Sequence, residues 1–134
     1  MGHTDWNHKD VARFAKAFID AGGRVQIGGH GQREGLGTHW EMWALSHGGA
    51  TPHQVLRAAT LHGAAYLGLD KDIGSLEVGK LADLVVLEKN PLDDIRNTET
   101  LTQVMVGGRL FDAWTMDEVG HYPVKRPKAF FEAR

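Results

Sequence analysis

Val11, Phe14, Ala15, Phe18 and Ile19 fall at i, i+3, i+4, i+7 and i+8, the spacing that lines one side of an α-helix with apolar side chains. Asn7 stands where it can cap that helix, Asp10 sits in its first turn, and Gly22-Gly23 ends it. Arg24-Val25-Gln26-Ile27-Gly28 then reads as a short strand, followed by a glycine-rich loop over residues 29–37. Thr38-His39-Trp40-Glu41 has the spacing of a capping box and predicts a second helix. Thr51-Pro52-His53-Gln54 repeats the device for a third helix, with Pro52 at the first helical position. That helix is expected to run to about residue 67 and stop at Gly68. Its Ala58, Ala59, Ala64 and Ala65 suit close packing against a neighbour.

Past Gly68 the pattern changes. Leu84-Val85-Val86-Leu87 is apolar at every position, which predicts a strand covered on both faces. Residues 101–106 read as another strand, and Gly107-Gly108 as a tight turn into Arg109-Leu110-Phe111. The tail from Asp112 mixes Trp114, Tyr122 and prolines with Lys125, Arg126 and Lys128; it has no period and is expected to wrap over the surface. Alternating helix and strand first, strands afterwards, places the chain in the α/β class, with a boundary near residues 68–74.

Composition adds exclusions. The chain has 134 residues, 42% hydrophobic and 24% charged, which is the make-up of one globular domain. A net charge of −2 gives no electrostatic reason to expect nucleic acid or an anionic membrane as partner. There is no cysteine, so disulfides and thiolate chemistry are excluded, a state that fits the cytosol and the periplasm equally. No apolar run approaches the roughly 18 residues that span a bilayer. Residues 1–6 carry neither a positive n-region nor an apolar h-region.

The run Ile73-Gly74-Ser75-Leu76-Glu77-Val78-Gly79-Lys80-Leu81-Ala82-Asp83-Leu84-Val85-Val86-Leu87, followed by Asn90-Pro91-Leu92-Asp93-Asp94-Ile95, resembles the closing segment of the metal-dependent amidohydrolase superfamily. Gly48-Gly49-Ala50-Thr51-Pro52, Leu56-Arg57-Ala58-Ala59-Thr60 and Ala64-Ala65-Tyr66-Leu67-Gly68-Leu69 resemble the stretch before it. Val104-Met105-Val106-Gly107-Gly108-Arg109 resembles the last hairpin of that family's small β-sandwich. Asp5-Trp6-Asn7-His8 and Gly29-His30-Gly31-Gln32-Arg33-Glu34-Gly35 look most like a narrower group, in which a Tol-type β-propeller precedes an imidazolonepropionase-like amidohydrolase domain.

The resemblance implies the C-terminal fragment of a (β/α)8 barrel followed by sandwich strands. Residues 1–70 would be the last βα units and the following helix, residues 71–112 the sandwich strands and residues 113–134 a tail. It implies a hydrolase of carbon–nitrogen bonds in linear or cyclic amides, with a small-molecule substrate. The cofactor would be a divalent metal, zinc by expectation, held by histidines upstream of this chain. No residue here is assigned as a metal ligand, and the isolated chain is expected to hold no metal tightly and to lack activity. Location follows the narrower match: periplasmic or secreted if the propeller fusion holds, cytoplasmic otherwise.

In the superfamily an aspartate at the end of the eighth strand usually acts as general base. Residues 25–28 match that strand, but His30 or Gly31 stands where the aspartate is expected. Histidine can take a proton from a metal-bound water near neutral pH or ligate the metal itself. His30, just past a strand end among glycines, is therefore the candidate catalytic residue. Arg33, whose guanidinium matches a carboxylate fork, Glu34 and His39 are the candidate substrate-binding residues. The eight histidines show no His-x-His or His-x-x-x-His pair. His47, His53 and His62 read as surface or capping residues, Trp40 and Trp43 as core, and Asp83 and Asn90 as structural turn formers.

A barrel fragment leaves apolar faces uncovered, so a homo-oligomer is expected, packed through the first two helices and residues 25–27. The competing reading is a self-sufficient module for binding or assembly, without catalysis.

Overall fold

The computed structural model describes residues 7–30 and 33–132. Four helices come first: α1 (His8–Asp20), α2 (Leu36–His47), α3 (Pro52–Ala59) and α4 (Leu61–Tyr66). Three strands follow, β1 (Leu84–Leu87), β2 (Leu101–Val106) and β3 (Arg109–Asp112), with a 3-10 helix at Ile95–Glu99 between the first two. The strands form one antiparallel sheet in the order β1-β2-β3.

Met42 and Leu45 of α2, Ala50 just before α3, Val55 and Ala58 of α3, and Ile95 from the 3-10 helix form one buried cluster. Val55 has no exposed surface at all. Ile95 therefore ties the sheet half to the helices through a shared apolar core, the dominant favourable term in folding. Ala15 and Ile19 of α1 pack against the same cluster.

The capping box at Thr51 forms as expected: Gln54 N–H donates to Thr51 Oγ1 at 3.3 Å and Thr51 N–H to Gln54 Oε1 at 2.9 Å. The one expected at Thr38 does not. Helix α2 starts three residues earlier, with Gly35 in place of Thr38 at its N-cap in the left-handed region (φ 76), and Glu41 is used elsewhere. The single helix expected to residue 67 breaks at Thr60 (φ −131, ψ −90). The Thr60 hydroxyl donates to Leu56 O at 2.7 Å, and the loop at Gly74 lies against the start of α4, where an added Cβ would meet Ala64 Cβ at 2.7 Å.

Residues 24–28 are extended but are not a paired strand, because no neighbouring strand lies beside them among the described residues. Their backbone groups bond instead to helices: Ile27 N–H to Ala58 O at 3.1 Å, and Val25 O to His62 Nδ1 at 3.1 Å. His62 thus has a defined anchoring role rather than a surface one. The α1 stripe is only half covered: Val11, Phe14 and Phe18 are 65%, 76% and 49% exposed. Likewise Val85 and Val86 of β1 are 55% and 37% exposed, so this strand is not covered on both faces by the chain itself.

The Gly107-Gly108 turn has φ 55 and 80, the paired left-handed conformations of a type I′ hairpin. Asp83 Oδ1 accepts from Gly107 N at 2.6 Å, and Asn90 Oδ1 from Leu92 N at 3.0 Å; both side chains shape turns, as their sequence context indicates. The tail folds back through β-bridges from Glu118 to Phe111 and to Val124. Ion pairs hold it: Arg109 to Glu118 at 2.7 Å, Lys125 to Asp117 at 2.7 Å and Arg126 to Glu132 at 2.5 Å.

Gly48, at the end of α2, lies so close to α1 that a Cβ there would fall 2.2 Å from Ala12 C and 2.3 Å from Ala12 O. A backbone cannot yield as a flexible side chain does. Gly48→Ala is expected to force the two helices apart and cost about 1–3 kcal/mol, read as a lower urea midpoint at an unchanged slope.

Glu132 is held at about 2, from an ordinary 4.5, first by the Arg126 guanidinium and then by the Ala129 N–H. Asp117 is also lowered, mainly by Lys125, and Glu118 mainly by Arg109. Carboxyls held low stabilise the docked tail fully above the ordinary carboxylate range, and that contribution disappears as pH falls through the lowered values. Slow exchange of the Arg126 Nη protons, which donate to the Glu132 carboxylate, should therefore survive at about pH 3 and be lost by about pH 1.5.

Candidate functional site

A cleft of ≈ 500 Å³ opens where the extended segment ends and α2 begins, lined by Gly28, Gly29, His30, Arg33, Gly37, Trp40 and Glu41. Glycines make this rim possible. A Cβ on Gly29 would meet Thr38 Oγ1 at 3.0 Å and Thr38 N at 3.1 Å, a tight fit that glycine avoids where the loop passes the first turn of α2.

His30 and Arg33 line the cleft together, both exposed, as their place on one loop predicts. Glu34 is exposed on that loop but is not among the lining residues. His39 does not join them either: its Nδ1 lies 3.0 Å from the buried Thr98 Oγ1. The Thr98 hydroxyl donates to Ile95 O at 2.9 Å, so it accepts from His39, whose proton then sits on Nδ1. In this arrangement His39 fastens α2 to the 3-10 helix. Gly31 and Gln32, which belong to the same loop, and Asp5 and Trp6 of the narrower resemblance lie outside the described residues.

Two further lining residues, Trp40 and Glu41, come from α2. Trp40 is 46% exposed beside the cleft, whereas Trp43 packs against the core with Arg96 over its ring at 5.5 Å. The buried Met42 and Leu45 fix the inward side of α2, and Trp40 lies on the opposite side of the helix from Met42, a signal that periodicity could have supplied. Glu41 is half-buried and accepts from Gly28 N–H at 2.9 Å through Oε2, which is why it is not available for a capping box. No local pattern announces that contact across thirteen residues.

Among the described residues no three His, Cys, Asp or Glu side chains converge to hold a metal ion. His30 and Glu41 line the cleft, but two such groups do not make a ligand set, and no chemical step is drawn through a metal here. What the cleft does offer is an imidazole that can exchange protons, a cation for an anionic group and an exposed indole face.

The model of the amidohydrolase family matches residues 8–111. The chain belongs to the amidohydrolase family. It is 52% identical over 44 residues to the imidazolonepropionase of Symbiobacterium thermophilum, covering 33% of this chain and 10% of that protein. It is 36% identical over 74 residues to the ochratoxinase of Aspergillus niger, covering 52% of this chain and 15% of that protein. Among solved structures, a Xaa-Pro dipeptidase with methionine bound in its active site superposes with a TM-score of 0.70 at 28% identity, over 78% of this chain and 25% of that one. This amidohydrolase chain thus spans only a small part of the length of the relatives it matches. Those relatives are hydrolytic enzymes of a family that acts on carbon–nitrogen bonds and generally uses a divalent metal.

His39→Ala is expected to lower stability by about 1 kcal/mol, because it leaves Thr98 without its donor. Nitrogen-15 shifts of the wild-type ring should identify the Nδ1–H tautomer; an Nε2–H tautomer would remove the basis of the assignment.

Proposed function

We propose that this chain is the C-terminal portion of a metal-dependent hydrolase that cleaves carbon–nitrogen bonds in linear or cyclic amides of small molecules. The observation that carries the reading is the family match over residues 8–111 coinciding with a polar cleft at the end of an extended segment. The chain corresponds to the last βα units of a barrel and the strands of a small sandwich, and the metal, zinc on this reading, is held by strands outside it.

In this scheme His30 serves the reaction as a proton carrier at the cleft rim, and Arg33 holds an anionic group of the substrate. The uncovered apolar side chains of α1 support the view that further packing partners complete the unit. Without them, copies of the chain associate through α1, α2 and residues 25–27, where a groove of ≈ 350 Å³ is lined by Val11, Ala15, Val25, Ile27 and Leu45 among others.

In the polypeptide that carries the remaining barrel strands, His30→Ala is expected to lower turnover by roughly 100- to 10,000-fold with little change in melting temperature. Unchanged turnover on every amide that the wild type cleaves would remove His30 from the mechanism. For the 134-residue chain alone, light scattering should report an oligomer at high concentration. A monodisperse monomer that binds no hydrophobic dye would instead favour the non-catalytic module.

A further inference from the structure

The Glu41 carboxylate stands at a junction. It is half-buried on α2, it lines the polar cleft with His30 and Arg33, and it also lines the apolar groove formed by α1, residues 25–27 and α2. Its Oε2 receives the Gly28 N–H at 2.9 Å. That amide belongs to the last residue of an extended segment with no strand partner, so a sheet ladder does not satisfy it. Two residues further on is His30, carried by Gly28 and Gly29, which on their own impose little conformational restriction.

A hydrogen bond from a backbone N–H to an ionised carboxylate is among the stronger ones. Glu41 is itself held in place, because Met42 after it and His39 two residues before it are committed. Met42 is buried in the core, and His39 is bonded to Thr98. The connection thus runs from the core, through α2, to the peptide that carries the His30 loop.

We propose that Glu41 is a positioning residue for the cleft: by holding the Gly28 peptide it fixes the rim on which His30 stands. The inference rests on the reading of this cleft as the reacting site only for its consequence in catalysis; the anchoring of Gly28 stands apart from it. The role needs an acceptor oxygen, not a negative charge. Glutamine supplies the acceptor and alanine does not.

The test compares Glu41→Gln and Glu41→Ala by amide exchange in the 134-residue chain and by turnover in the polypeptide carrying the remaining barrel strands. In Glu41→Gln the Gly28 amide should stay protected, and kcat should remain within about threefold of wild type with an unshifted pH profile. In Glu41→Ala the Gly28 amide should exchange about tenfold faster or more, and kcat should fall by roughly 100-fold, as for a misplaced reacting group. If Glu41→Gln loses as much turnover as Glu41→Ala while Gly28 stays protected, the carboxylate acts through its charge or its proton, and the positioning role is overturned. Equal Gly28 exchange in all three proteins overturns it as well. A wild type that hydrolyses no amide would sink the functional reading alone, since the exchange comparison still decides the anchoring.

Discussion

The burial of Val55 among Met42, Leu45, Ala50, Ala58 and Ile95 is the packing that joins the helices to the segment beyond β1. Val55 and Ala58 lie on α3, Met42 and Leu45 on α2, and Ile95 arrives from the far side of β1. One small core therefore joins segments that would otherwise form separate layers. Helix α1 is held by the same core through Ala15 and Ile19, and by the backbone contact at Gly48. The extended segment is then trapped between helices, with Val25 and Ile27 against the core, its Ile27 and Gly28 N–H groups donating to Ala58 and Glu41, and its Val25 carbonyl accepting from His62. The cleft at His30 is a product of that trapping rather than of any contact made by His30 itself.

What was legible in the sequence is what is local. The α1 stripe, the Thr51 capping box, the Gly107-Gly108 hairpin and the turns at Asp83 and Asn90 each depend on residues close in the chain or on a backbone conformation that glycine permits. The α1 pattern also shows the limit of such a reading. Its periodicity identifies a helix, but Val11, Phe14 and Phe18 face outward, because an apolar stripe says which side seeks cover and not whether cover is present.

What was not legible is carried by distant contacts. The Thr38 motif has the spacing of a cap, yet Gly28 competes for Glu41 and wins. The break at Thr60 lies where the Gly74 loop packs against the start of α4. His39 looked like a rim residue because it follows the loop, and its ring is claimed by Thr98, fifty-nine residues away. The tail, which has no period at all, is held by complementary charges that hydrophobic patterning cannot reveal. That His30 and Arg33 share one glycine-rich loop was readable in the sequence, whereas the outward turn of Trp40 needed the orientation of α2.

Helix α2 serves three constituencies at once: its inner side completes the core, His39 reaches the 3-10 helix, and Gly37, Trp40 and Glu41 form one wall of the cleft. A wall so committed is a poor place for variation, because any shift that reshapes it also opens the core. The opposite wall bears His30 and Arg33, and those two side chains are exposed. Diversification of what the cleft accepts is thereby channelled to one side. The loop can change in length and chemistry while the helix stays as a constant template, which separates the freedom to alter selectivity from the requirement to stay folded.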